Sequence, residues 1–252
     1  MNDVSDILTA FRRSERALVE QVAQWESLDF GVAYWSTAFP SLAEANQLRD
    51  VWLSDVSAEE AFARADAYFT ERGTKCSAWT PASSQAVEPV AELLLRKGWQ
   101  RVEAQVMALA KWDTADVMPD ASVRILPARA MRKAYRATFE GESARGDAVM
   151  ERLNDSNLDA FVAIVDGAAA GRISYLSVGD AARVTDAFVL SEFRRRRIGV
   201  QLMGHVLRLA RRLLPKSVVA AGTTDAGHAF LAASGFEAVG VLASFHHGVD
   251  SI

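Results

Sequence analysis

The chain has 252 residues, half of them apolar and 24% charged, with a formal net charge of −4. That balance describes a globular protein long enough for two domains of ordinary size. No apolar run approaches the roughly 20 residues of a membrane span, and the acidic start Met1-Asn2-Asp3-Val4-Ser5-Asp6 lacks the basic-then-apolar order of a signal peptide, so cytoplasmic residence is expected. One cysteine, Cys76, excludes an internal disulfide and cannot anchor a zinc site alone. Charge is unevenly divided: residues 1–120 hold 11 Lys+Arg against 19 Asp+Glu (−8), residues 121–252 hold 17 against 13 (+4). A phosphorylated ligand is better suited to the C-terminal half.

In chain order, Val4–Trp25 places Ile7, Leu8, Phe11, Leu18, Val22 and Trp25 at helical intervals. The aromatic run 29–35 reads as a strand, and Val51–Leu53 as another short one. Ser57, with Glu60 three residues on, has the form of a capping box opening a helix that stops at Gly73. A strand over 76–79, a helix over 84–97 and a long strand or strand pair over 100–109 complete this half. Residues 113–120 have no clear period and read as a linker between domains at 1–112 and 121–252.

The second half continues with a strand at 123–126, a helix at 128–140, a polar loop at 140–146 and a short helix at 147–153. A strand over 161–165 turns at Asp166-Gly167, a hairpin signal, into a return strand at 171–176. Residues 183–190 form another strand, 198–214 a helix ended by Pro215, 217–221 a strand, 226–234 a helix and 237–245 the last strand. A faint repeat links Leu93–Trp99 with Phe230–Phe236: in both a helix ends at a Gly and an aromatic starts a strand. The shared order of elements upstream makes a duplicated fold the better reading.

The segment Val184–Met203 carries the chemistry. An apolar strand feeds the turn Phe193-Arg194-Arg195-Arg196-Arg197, which opens a helix at Ile198-Gly199. The first turn of a helix offers free backbone N–H groups and the positive end of the dipole, and so accepts phosphate. Gly199 permits close approach and flanking arginines add charge-assisted contacts. A solvated basic patch or a nucleic-acid contact is the rival reading, with Arg208, Arg211 and Arg212 extending the charge. Without aromatic interleaving or an overall basic chain, nucleic acid is not expected.

This segment resembles the GNAT superfamily of acyl-CoA N-acyltransferases, whose pattern is a strand, a Pro/Ser-Glu-Tyr/Phe step, then Arg/Gln-x-x-Gly-x-Gly/Ala opening a helix. Phe193, Arg194, Ile198 and Gly199 fall on it, as do Leu190-Ser191-Glu192 and Gln201-Leu202-Met203. The resemblance implies an α/β (α+β) fold, a mixed, mostly antiparallel sheet flanked by helices, here as two GNAT-like units with a degenerate N-terminal copy. It further implies that Phe188, Val189 and Leu190 pair with the pantetheine arm of acetyl-CoA. Arg194 and the amides of Arg195, Arg196, Arg197, Ile198, Gly199 and Val200 hold the pyrophosphate, with Thr224 in the position of a frequent Asn. Two positions depart from the pattern: Arg197 replaces its first Gly, and Leu231 stands where many members carry a Tyr acid.

The reaction implied is transfer of an acetyl or other short acyl group from the coenzyme A thioester to a small-molecule or peptide amine. Asp186, Glu140 and Glu142 are the candidates for the base, and Tyr175 for the cleft wall. Their bland rivals are an Asp pairing with an Arg or capping the backbone, and ordinary loop carboxylates. His228 is a weaker candidate for proton transfer, and His246-His247 face differently and do not suggest a metal site. Between the strand at 51–53 and the helix from Ser57, Ser54-Asp55-Val56 offers no Gly or Arg cluster, so this copy reads as having lost its cofactor site. The alternative to an enzyme is a protein that binds coenzyme A or acyl-CoA without turnover.

Overall fold

The computed structural model describes residues 3–139 and 141–247. Its chain divides into two compact units. The first comprises the chain through Ala17 together with Gln105–Gly240, the second Leu18–Ala104 together with the chain from Val241 onward. Among the described residues no helix is long and apolar enough to cross a membrane.

The first unit holds most of α1 (Val4–Glu20), then β6 (Arg124–Pro127), α4 (Arg132–Ala137), α5 (Ser143–Arg152), β7 (Leu158–Val165), β8 (Ala168–Val178), β9 (Ala181–Val189), α6 (Ile198–Leu213), β10 (Ser217–Gly222) and α7 (Asp225–Ala233). Its strands lie in the order β10-β9-β8-β7-β6, with the end of β5 (Gln100–Leu109) beyond β10. Neighbours are antiparallel except β9 and β10. The β7–β8 turn is the expected hairpin: Asp166 and Gly167 both have positive φ, 52° and 84°, as a two-residue turn matched to strand twist requires. The inward face of α6, with Ile198, Leu202, Met203, Val206, Leu207 and Ala210, packs on Ile173, Tyr175 and Val184 of the sheet. Tyr175 is therefore a core residue and does not line a cleft. Helix α1 is fixed in this unit by polar contacts: Arg13 donates to the Val178 carbonyl at 3.1 Å and pairs with Asp180 at 2.9 Å, and Glu15 pairs with Arg183, whose guanidinium lies 4.5 Å from the Phe11 ring centroid.

Residues 113–120 are not a bare tether. Asp113–Asp116 form a turn of 3₁₀ helix in which Thr114 and Ala115 are buried. Arg208 donates to the carbonyls of Ala115 and Val117, Arg211 to Asp116 and the Trp112 carbonyl, and Gln201 to the Met118 carbonyl. Part of the basic stripe on α6 is thus spent on holding this segment.

The second unit contains β1 (Gln24–Leu28), β2 (Gly31–Trp35), β3 (Gln47–Val51), α2 (Ala58–Glu71), β4 (Ala78–Pro81) and α3 (Val87–Arg96). Their sheet order is β1-β2-β3-β4, followed by the end of β11 (Phe236–His246). Ser57 is the N-cap of α2, its hydroxyl accepting from the Glu60 amide at 3.2 Å. The core gathers Phe30, Leu48, Phe69, Trp79, Leu94, Trp99 and Phe245. Boundaries differ from the sequence reading. Helix α1 ends at Glu20, leaving Trp25 in β1, and the strand expected at 51–53 is Gln47–Val51. Polar Gln47, Arg49 and Asp50 disguise it, although Gln47 and Arg49 are buried. The helix expected at 128–140 is Arg132–Ala137, and α5 begins at Ser143, inside the expected polar loop 140–146.

The elements β1-β2-β3-α2-β4-α3-β5 and β7-β8-β9-α6-β10-α7-β11 follow one order, with the same parallel pair at β3/β4 and β9/β10. Asp50 in β3 and Asp186 in β9 both have φ 52°, each at a register shift of its strand. The closing strands are exchanged: β5 ends on β10 and β11 ends on β4.

Candidate active site

Aligning the two bulges on Asp50 and Asp186 shows what separates the copies. In the second unit β3 stays paired with β4 from Gln47 through Val51, and Ala82 continues the seam by donating to the Val51 carbonyl at 3.0 Å. In the first unit β9 pairs with β10 only over Ala181–Arg183. Arg183 is the counterpart of Gln47, so the stretch zipped shut in one copy is the stretch open in the other. The edge of β9 from Thr185 to Val189 is left available to an extended ligand arm, and its own backbone groups need a partner there. Leu190 donates its N–H to Ala170 on β8 at 3.0 Å. Alternate residues of a strand direct their N–H to opposite edges, which turns the Val189 N–H toward the open one.

Past Val189 the chain makes a 3₁₀ turn at Ser191–Phe193 and reaches the arginines. Arg194, Arg195, Arg196 and Arg197 are all exposed. Arg194 donates to the Val189 carbonyl at 3.2 Å and Arg196 approaches Asp166 at 3.6 Å. Arg195 and Arg197 have φ of 62° and 59°, and Arg197 is the residue immediately before α6. The left-handed backbone that a glycine adopts without cost is therefore present at Arg197, formed by an arginine. Gly199 lies in the first turn of α6, where an added Cβ would meet the Phe230 ring at 3.2 Å and Val189 at 3.7 Å. No side-chain cap covers the start of α6, so its first amides face outward as an anion site requires.

Behind this edge lies a charged cluster. Asp186, its side chain 7% exposed, accepts from Arg145 at 3.1 Å, and the other arm of Arg145 donates to Glu142 at 2.8 Å. Arg172 is 2% exposed and sits 3.8 Å from Glu142. Burial pulls its pKa below the ordinary arginine value, opposed by the negative charge of Asp186. Tyr135 shares a hydrogen bond with Ser174 at 3.2 Å, and burial with the nearby Asp186 pushes its phenol well above the usual range. Beside this cluster a cleft of about 620 Å³ is lined by Lys133, Arg136, Phe139, Gly141 and Ser143.

Residues 128–236 match the model of the acetyltransferase (GNAT) family. The chain carries a GNAT domain. A conserved, functionally unknown protein from Staphylococcus epidermidis ATCC 12228 superposes with TM-score 0.69 at 13% identity, over 88% of this chain and 93% of that one. A GCN5-related N-acetyltransferase from Kribbella flavida gives 0.68 at 14%, over 95% and 96%. A tandem GNAT protein from the clavulanic acid biosynthesis pathway gives 0.56 at 18%, over 88% and 80%. At these identities the likeness is one of fold, a tandem GNAT arrangement included. No curated protein matches the sequence.

Within the GNAT domain the candidate residues are distributed as follows. Phe188 to Leu190 form the end of the open edge and Arg194 to Val200 the turn and helix start. Thr224 is the N-cap of α7, its hydroxyl accepting from the Gly227 amide at 3.1 Å. Glu142 and Asp186 are brought together by Arg145; Glu140 lies outside the described residues. Leu231 is buried in the core and offers no acid. His228 contacts the Gly222 carbonyl at 2.7 Å, while His246 contacts Ser244 and His247 packs near Trp99. Among the described residues no group of His, Cys, Asp and Glu is arranged for a metal. Sequence reasoning missed Arg145 and Arg172. The signal for Arg172 was a lone arginine inside the apolar run 168–178.

Proposed function

We propose that residues 121–252 form an acyl-CoA-dependent N-acyltransferase domain that moves an acetyl or other short acyl group to an amine. Residues 1–112 are then a degenerate copy without a cofactor site, joined through 113–120. The observation that carries this reading is the edge of β9 left open beyond Arg183 and leading directly into the arginine turn. A long ligand with a hydrogen-bonding arm and a pyrophosphate matches both parts, and coenzyme A has that form.

In this reading the open edge at Phe188–Leu190 binds the pantetheine arm. The Val189 N–H is directed at the thioester carbonyl, where a preorganised donor favours developing negative charge. The amides of Arg195 to Val200 take the pyrophosphate, with Arg194 and Arg197 adding charge and Thr224 flanking. Acyl-CoA supplies an activated acyl group whose thiolate leaves readily, so a core Leu231 in place of an acid is tolerated. The amine attacks directly. Glu142, more exposed than Asp186, takes its proton directly or through water, and Asp186 holds Arg145 in place. Amine and thioester held together account for much of the rate.

Calorimetric titration with acetyl-CoA, coenzyme A and adenosine 3′,5′-bisphosphate tests the cofactor site, and release of free thiol with a panel of amines tests turnover. One acetyl-CoA per chain with thiol release is expected. Absence of binding by all three ligands would remove the reading. A second reading, acyl-CoA binding without turnover, is favoured by the burial of Leu231 and the engagement of Asp186; binding without thiol release from any amine would select it.

A further inference from the structure

We propose that Arg172 is a positioning residue of this reaction, seating the loop that carries Glu142 against the acyl-CoA strand β9. The proposal rests on the acyl-CoA reading above. The Arg172 side chain rises from β8 opposite Phe188 of β9. Its guanidinium lies over two rings, 3.6 Å from the centroid of Phe139 and 4.5 Å from that of Phe188. One arm donates to the carbonyl of Thr138, at the end of α4, and the other faces Glu142. One planar group thus reaches the cofactor strand through Phe188 and the acceptor-side loop through Thr138, Phe139 and Glu142. Arg145 closes the circuit from Glu142 to Asp186, three residues after Arg183, where β9 leaves β10.

Stability does not account for an arginine here. Taking a cation out of water is costly, and an apolar side chain of similar volume is often no worse for the folded state. The Nε of Arg172 has no hydrogen-bond partner among the described residues, which adds to that cost. What arginine provides, and methionine or lysine cannot, is a rigid fork with two flat faces that fixes four partners at once. A loop so fixed holds its carboxylate at a constant distance from the open edge. A displacement of about 1 Å at such a group costs on the order of a hundredfold in rate.

The test compares the full-length wild type with Arg172→Met and, because removal of a buried charge risks the fold, with Phe139→Leu, which keeps the charge and removes one ring face. Amide hydrogen exchange is followed with and without saturating coenzyme A. In the wild type coenzyme A slows exchange at 193–200 and also at 141–146. In Arg172→Met the slowing at 193–200 persists while that at 141–146 falls by about tenfold or more, and Phe139→Leu gives an intermediate loss. With the best amine of the panel, kcat of both variants falls by about tenfold or more while KM for acetyl-CoA stays within about threefold. Undiminished slowing at 141–146 in the variants, or none there in a wild type that binds coenzyme A, would overturn the proposal. So would a parallel loss of coenzyme A binding in Phe139→Leu. A wild type that binds no coenzyme A would instead strike at the acyl-CoA reading itself.

Discussion

Replacing Arg197 by glycine separates what its backbone does from what its side chain does. Arg197 has φ 59° and ψ 11°, a conformation that costs a non-glycine residue about 1–2 kcal/mol. Glycine removes that cost and gives back about 0.5–1 kcal/mol through its looser unfolded chain. The net is a gain of about 0–1.5 kcal/mol, or up to roughly 6 °C in Tm for a chain of this size. If the amide at 197 is what meets the phosphate, Arg197→Gly keeps coenzyme A affinity within about tenfold, since an exposed, solvent-screened charge contact is worth about 1 kcal/mol or less. Arg197→Glu retains the strained backbone and reverses the charge, so it gains no Tm and weakens coenzyme A by well over tenfold. Thermal melts of the free protein and calorimetric titration with coenzyme A measure the two effects separately. A glycine variant that melts lower than wild type would refute the strain argument. Equal affinities for the glycine and glutamate variants would show that the arginine turn is not the phosphate site.

Two further substitutions and one labelling experiment probe other parts of the chain. A Cβ at Gly171 would lie 2.6 Å from the Phe188 carbonyl oxygen, a backbone atom, so Gly171→Ala forces β8 and β9 apart; a loss of about 1–3 kcal/mol is expected by urea denaturation, and an unchanged midpoint would contradict the packing. Hydrogen bonds from Lys216 and Arg13 hold the Asp180 carboxyl at about 2, below the ordinary 3.8. Its contribution is full above pH 3.8 and fades as pH falls toward 2, so Asp180→Asn should flatten the pH dependence of the urea midpoint in that window; an unaltered slope would deny the pairing. Burial pushes the Cys76 thiol up to about 12, so iodoacetamide at pH 8 should leave the native protein unmodified and label it only after denaturation, as mass spectrometry would show.

The β9–α6 junction was legible because its signal is local: an apolar strand, an arginine turn and a glycine within twenty residues, each with a physical meaning at its own position. The left-handed backbone at Arg197 was not, since arginine gives no sign of positive φ. Strand Gln47–Val51 escaped notice because buried Gln47 and Arg49 break the apolar pattern. The closed seam of the degenerate copy was beyond reach as well. The absence of arginines after β3 led to the expectation of a copy without a phosphate site, but pairing between Gln47–Val51 and Ala78–Pro81 is a long-range choice that neither segment encodes alone. Arg145 and Arg172 belong to the same class, ordinary in sequence and informative only once Asp186, Glu142 and Phe188 surround them.

The exchange of β5 and β11 bears on how the chain is made. The sheet of the N-terminal copy is finished by Phe245 and His246, which pair with Trp79 and Ala78. Translation adds those residues only after β7 to α7 have been made, so the first half of the chain must wait, with an unclosed strand edge, for all of those elements to be synthesised. A nascent chain stalled before β11 leaves β4 with an unpaired edge that needs cover.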